Sequence, residues 1–477
     1  MNTIFAPQLT RRDLLTKTGL GLGGLAFSQL MQSQQAQALT ALQGLPHHAA
    51  KAKRIIFLFM SGGLTQFETF SNKPALDKRH GEELPESVRQ GKAALGMSKF
   101  QAKFPLVRSV YKLGQHGKSG AWVSELLPET AKVVDDLTFI HSMKSDAVNH
   151  DPALTFMQTG APLPSRPTMG AWLTYGLGSE NQDLPGFIVL VTKKSADQPL
   201  TSRLWDNGFL PSKYQGVQFR AGSEPVLYLN NPAGVSSAST RRLLDRLNDL
   251  HQGKLAAAPD PEIESRISQA ELAYRMQSAV PDVTDISKEP DSVLKLYGPD
   301  VKESGTFASN CLMARRMAEK GVRFIQLYHP GWDMHGGLPE GMKAMSKEVD
   351  FGCAGLIQDL KQRDMLKDTL VVFGTEFGRT CYSQGLMSKV TGTYGREHHR
   401  DCFTFWMAGG GIKPGVSYGE TDDFGYSIVK DPVHVNDFHA TVMHLMGIDH
   451  ERLTFRNQGR DYRLTDVAGK VVQGILA

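Results

Sequence analysis

The stretch Arg54-Ile55-Ile56-Phe57-Leu58-Phe59-Met60 is apolar without a break after its first residue and stops at Ser61-Gly62-Gly63. A strand with one wet face would alternate apolar and polar residues, so an unbroken short run predicts a strand covered on both faces, as in a parallel sheet. Similar runs recur at 138–140, 187–191, 322–327, 369–373 and 403–407. Residues 304–320 and 341–363 read as intervening helices, the second with apolar residues at helical spacing. This alternation predicts an α/β fold with a mostly parallel central sheet and helices on both faces, whose ligands bind beyond the carboxyl ends of the strands. Residues 193–283 break the rhythm: they are rich in Pro, Asn, Ser and Gly before a charged helix at 237–253, and read as an insertion or cap on a single domain.

The first residues bear on compartment. Thr10-Arg11-Arg12-Asp13-Leu14-Leu15 sets two arginines before a weakly apolar stretch at 20–31, and Ala36-Gln37-Ala38 offers a small-residue cleavage site. That order predicts a twin-arginine signal peptide over 1–38 and a mature domain over 39–477. The expected partner during export is the twin-arginine translocase, and the expected location is periplasmic or secreted. The apolar stretch falls short of the roughly 20 residues that span a bilayer, so no stable membrane anchor is expected after cleavage.

Charge and cysteine usage exclude other classes. The formal net charge is only +4, and the expected leader carries three cations and one anion of it, which argues against nucleic acid as a main partner. Cys311, Cys353, Cys381 and Cys402 are scattered without C-x-x-C spacing, which excludes a cysteine-rich zinc site. Disulfides and buried free thiols both remain open for them.

Polar residues collect where the strands end. Gly331-Trp332-Asp333-Met334-His335-Gly336-Gly337 follows one strand, Gly374-Thr375-Glu376-Phe377-Gly378-Arg379 follows another, and Gly395-Arg396-Glu397-His398-His399 precedes a third. An Asp and a His two apart on a glycine-flanked loop can aim an oxygen and an imidazole at one cation, and a carboxylate with one of two adjacent histidines completes a shell. Each cluster also has a plainer reading: Asp333 as a helix cap, Glu376 and Arg379 as an ion pair at a turn, the histidines as solvent-facing loop residues. Asn149-His150-Asp151-Pro152 opens a helix, where Asp151 serves as a cap or beside an anion site. His434, His439 and His444 lie on a C-terminal helix and read as structural.

Taken with the closing segment Asp431-Pro432-Val433-His434 to Asp449-His450-Glu451-Arg452-Leu453, these motifs and the first strand resemble the bacterial family called domain of unknown function 1501, a relative of sulfatases in the alkaline phosphatase superfamily. The resemblance implies an alkaline phosphatase-like fold. It sets His150 where the sulfatase nucleophile stands, Asp333 and His335 at a metal pair, Glu376 and Phe377 in place of an Asp and a His, and His398 or His399 at the last His or Lys of the site. Where relatives carry metal-binding aspartates after the first strand this chain has Ser61-Gly62-Gly63, and Glu68 is the nearest carboxylate that compensates.

These readings together predict a divalent metal (zinc, calcium or manganese) held by Asp333, His335, Glu376, His398 or His399, and Glu68. The expected catalytic residues are His150 as nucleophile or base, Asp151, and Arg379 against the developing oxyanion. The expected substrate is a small-molecule or polysaccharide ester of phosphate or sulfate. The alternative is a catalytically silent member of the fold that acts at the cell surface or binds polysaccharide.

Overall fold

The computed structural model describes residues 39, 41–92, 96–193, 200–222, 224–257, 260–384 and 393–477. The twin-arginine leader expected over 1–38 lies outside them. Residues Leu39–Ala477 form one compact unit.

Eleven strands matter here: β1 (Arg54–Met60), β2 (Leu137–Lys144), β3 (Phe187–Val191), β4 (Val217–Phe219), β5 (Phe324–His329), β6 (Thr369–Gly374), β7 (Gly378–Ser383), β8 (Arg396–His399), β9 (Phe403–Ala408), β10 (Val416–Tyr418) and β11 (Val433–His434). All but β7 and β8 form one nine-stranded sheet in the order β10-β2-β9-β6-β1-β5-β3-β4, with β11 paired to β2. Every pairing is parallel except those of β9, which runs against both β2 and β6. β7 and β8 form a separate antiparallel ribbon.

Central β1 shows why the sheet is covered on both sides. Ile56, Leu58 and Met60 point into one apolar cluster and Ile55, Phe57 and Phe59 into another, all of them inaccessible to solvent. The seven main helices are α1 (His150–Thr159), α2 (Met169–Leu177), α3 (Ser237–Ala257), α4 (Pro261–Thr284), α5 (Phe307–Glu319), α6 (Leu338–Gln362) and α7 (Val435–Leu445). The first cluster is completed by α5 and α6; α6 contributes Leu338, Met342, Met345, Val349, Leu356 and Leu360 at helical spacing. The second is completed by α1, α2 and α7. Thr306 caps α5 by accepting from the Ser309 amide at 3.2 Å, and α7 starts with a capping box in which His434 and Asp437 exchange backbone bonds.

The region expected as an insertion over 193–283 holds β4, which extends the main sheet beside β3, because Val217 and Phe219 pack into the first apolar cluster. It also holds α4, whose weak amphipathicity hides it from periodicity. Cys311, Cys353, Cys381 and Cys402 are all buried free thiols. Among the described residues no helix is long and apolar enough to cross a membrane.

Candidate metal centre

Register brings the site together. Met60 lies beside His329 and Phe59 beside Gly374, so the loops after β1, β5 and β6 leave the sheet at one level. The β1 loop supplies Gly62 and Gly63, the β5 loop supplies Asp333 and His335, and the β6 loop supplies Glu376. His150 comes from the start of α1, which follows β2 at the same edge, and His398 from β8, just before the antiparallel β9. Gly62 has φ +122°, and a Cβ there would come within 2.6 Å of the Asp333 amide nitrogen. Only glycine lets the first loop run this close beneath the second.

His150, Asp333, His335 and His398 each offer one ligand atom, and these atoms lie within 4.8 Å of one another. The Nε2 atoms of His335 and His398 stand 2.9 and 3.2 Å from Asp333 Oδ1, and His150 Nε2 stands 3.2 Å from Oδ2. Behind each ring an acceptor holds the other nitrogen. His150 Nδ1 is 2.6 Å from Glu376 Oε1, His398 Nδ1 donates to the Val148 carbonyl at 2.9 Å, and His335 Nδ1 meets the side-chain oxygen of Gln384. An imidazole that donates from Nδ1 carries its neutral-state lone pair on Nε2. Three lone pairs facing one carboxylate repel it unless protons or a cation lie between them, and four such donor atoms so close together fit a metal ion. His150 Nε2 also lacks a well-directed hydrogen bond despite its short approach to Asp333.

Without a metal, protons take the cation's place. Burial disfavours charge on Asp333, but hydrogen bonds from His150, His335 and His398, aided by Arg379, outweigh it and hold the carboxyl well below the usual range. Burial also opposes a proton on His150, yet the two carboxylates Asp333 and Glu376 push its pKa up to about 9. His398 goes the other way: burial lowers it, Asp333 only partly offsets this, and the charges of Arg379 and His150 lower it further. Phe377 closes one side against both rings, with centroids 4.9 Å from His150 and 4.5 Å from His398. Asp333 and His335 keep 17% and 22% of their side-chain surface, so the cluster opens to solvent beside them.

The other expected site residues take different places. Glu376 is sealed from solvent and stands behind His150, accepting from the Gly62 amide at 2.9 Å and from Thr375 Oγ1 at 3.0 Å; it is outside the four-residue donor set. Glu68 is equally buried but pairs with Arg396 at 2.8 Å and accepts from Tyr394 at 3.2 Å, which turns it away from the cluster. His399 stacks on Tyr426 and bonds that residue's carbonyl at 2.8 Å, because adjacent residues of β8 point to opposite sides. Arg379 is fully buried, bonding Gly63 O at 2.7 Å, Arg396 O at 3.0 Å and Asp333 Oδ1 at 2.7 Å, so its guanidinium clamps the carboxylate instead of facing a substrate. Asp151, in the first turn of α1, is exposed and forms a two-point ion pair with Arg203. The acceptors Val148 and Gln384 carry no signal in the sequence, since a backbone carbonyl has none and Gln384 becomes relevant only through its place at the end of β7.

Fold and site thus define an α/β protein with a candidate metal centre at the carboxyl edge of its central sheet. The chain belongs to the family described as "Protein of unknown function (DUF1501)", which it matches over residues 52–476. Among curated proteins none matches it. Solved structures similar to it include the PsFucS1 sulfatase from Pseudoalteromonas sp. (14% identity, 89% of this chain and 70% of that one, TM-score 0.33). Others are the lipoteichoic acid synthase LtaP from Listeria monocytogenes (10%, 90% and 78%, TM-score 0.36) and the alkaline phosphatase from the Antarctic bacterium TAB5 (10%, 83% and 98%, TM-score 0.31). These superpositions are too loose to assign chemistry to this chain.

Proposed function

We propose that this protein is an exported metal-dependent hydrolase of phosphate or sulfate esters, periplasmic or secreted, handed across the membrane by the twin-arginine translocase. The observation that carries the metal is the convergence of His150, Asp333, His335 and His398, each ring with its outer nitrogen on an acceptor and its inner nitrogen on Asp333. A divalent cation bound there supplies Lewis acidity toward an ester oxygen. Three imidazoles and one carboxylate suit zinc or manganese better than calcium, which prefers an all-oxygen shell.

The chain's own residues do the rest. Glu376 holds the Nδ1 proton of His150 and leaves Nε2 facing the centre, where it either completes the ligand set or takes a proton from an attacking water. Arg379 fixes Asp333 and offsets its charge. Phe377 keeps water off one side of His150 and His398. The opening beside Asp333 and His335 gives an ester its approach.

Elemental analysis of the purified protein should find about one metal per chain. His398→Ala should abolish it while His399→Ala retains it, and the wild type should turn over an aryl phosphate or an aryl sulfate. Equal metal content in both variants would refute this centre. One observation favours a silent, polysaccharide-binding protein: Glu68 is locked to Arg396, so the cluster contains a single carboxylate. Stoichiometric metal without turnover of either ester would select that reading.

A further inference from the structure

A cavity lies away from the metal centre, where the edge strand β4 meets the helix α4. Its volume is about 470 Å³, within the range of small-ligand sites. Pro185, Gly186 and Phe187 line it at the start of β3, the opposite end of the sheet from the candidate metal. Buried apolar residues such as Trp205 and Met276 form part of its wall, but its polar lining is rich in amides: Gln215, Gln218 and Gln269. The side chains of Gln215 and Gln218 make no hydrogen bond among the described residues, and Gln269 uses only its Nε2, toward Ser212 Oγ at 3.3 Å. Tyr228 also lines the cavity, 96% exposed on a left-handed backbone with φ +56°. That backbone is strained for a tyrosine, and strain of this kind clusters at ligand sites.

The lining chooses the ligand. Lys213 is its one charged residue, and Glu264 neutralises it at 3.1 Å, so a phosphate, sulfate or carboxylate would enter without a counter-charge. A fatty chain would cover the apolar wall but strip water from the three amides without replacing its hydrogen bonds. A neutral sugar suits both parts, because its hydroxyls pair with amide oxygens and N–H groups while its C–H face lies on an aromatic ring. Trp205 and Tyr214 supply rings within the cavity and Tyr228 one at its rim.

We propose that this cavity is a binding site for a neutral oligosaccharide, held by the amides of Gln215, Gln218 and Gln269 and stacked on Tyr228. The site stands whether the metal centre hydrolyses an ester or is silent. On an array bearing neutral, sulfated and phosphorylated oligosaccharides, the full chain should be retained by neutral ones, the best of them binding with a Kd below about 1 mM by calorimetry. Against that oligosaccharide, Gln215→Ala with Gln218→Ala should weaken binding at least about tenfold at an unchanged melting temperature. Tyr228→Gly should weaken it as much while melting no lower, because glycine suits the left-handed backbone. His398→Ala, which empties the metal centre, should bind the oligosaccharide as the wild type does. Retention by charged oligosaccharides alone, or by none, would overturn the proposal, as would binding that survives both cavity variants or falls with His398→Ala. Binding of palmitate that the cavity variants abolish would also overturn it, by naming an apolar chain as the ligand.

Discussion

His150 and Glu376, 226 residues apart in sequence, meet with Nδ1 and Oε1 at 2.6 Å, and the carboxylate is held in turn by the Gly62 amide. The pair fixes the ring's orientation and leaves Nε2 as the nitrogen that faces Asp333. Glu376→Gln removes the charge and keeps the shape. Metal affinity should fall by roughly 10- to 100-fold, the usual cost of losing a carboxylate behind a ligating histidine. Competitive titration with a coloured chelator measures it, and circular dichroism checks that the fold is retained.

Metal uptake should depend on pH in a defined direction. Burial opposes protonation of His150, but Asp333 and Glu376 raise its pKa to about 9 in the metal-free protein. A cation must displace that proton, so apparent affinity should rise with pH up to about 9, by about tenfold per unit. Calorimetric titration at pH 7 in two buffers of different ionisation enthalpy should report about one proton released per metal bound. Zero release would show that His150 is already neutral or lies outside the coordination sphere.

Glu68 and Arg396 form an ion pair with no solvent exposure. Glu68→Gln strands the guanidinium in the interior, which should cost about 3 kcal/mol of stability. Chemical denaturation measures that loss. Metal content should be unchanged, since Glu68 faces Arg396; lower metal content in a folded variant would return Glu68 to the ligand set.

Acid should weaken the fold partly through His439. Burial lowers its pKa to about 4, with its Nε2 donating to the Met157 carbonyl at 2.8 Å. Below pH 6.5 the unfolded chain takes up a proton that the native site refuses, so the folded state loses stability as pH falls from 6.5 toward 4. Between pH 7 and pH 5 this one group should account for roughly 2 kcal/mol. His439→Gln keeps a donor for Met157 without the titration, and its denaturation midpoint should fall less over the same interval.

The fold was legible because burial on both faces leaves a local mark. The unbroken run of β1 and the periodicity of α6 each record which neighbours must cover them, and short apolar runs located six of the nine sheet strands. Strands β4, β10 and β11 are too short to show a pattern, and α4 too weakly amphipathic. The site was legible only as loops. Asp333, His335 and His398 could be drawn from the clusters at the strand ends, but His398 and His399 are chemically equivalent on paper. The pleat of β8 turns one imidazole to Asp333 and the other to Tyr426.

The order of residues along the chain thus decided the layers and the edge at which polar groups gather, since strand burial and turn chemistry are local. Packing across the chain decided what each polar group does there. Glu376 stands behind His150 because the Gly62 amide reaches it, Glu68 is consumed because Arg396 has no other carboxylate partner among the described contacts, and Arg379 binds Asp333 because the loops around it close off solvent. These are relations between residues tens to hundreds of positions apart, and a donor or acceptor acquires its role only when a particular partner comes within about 3 Å.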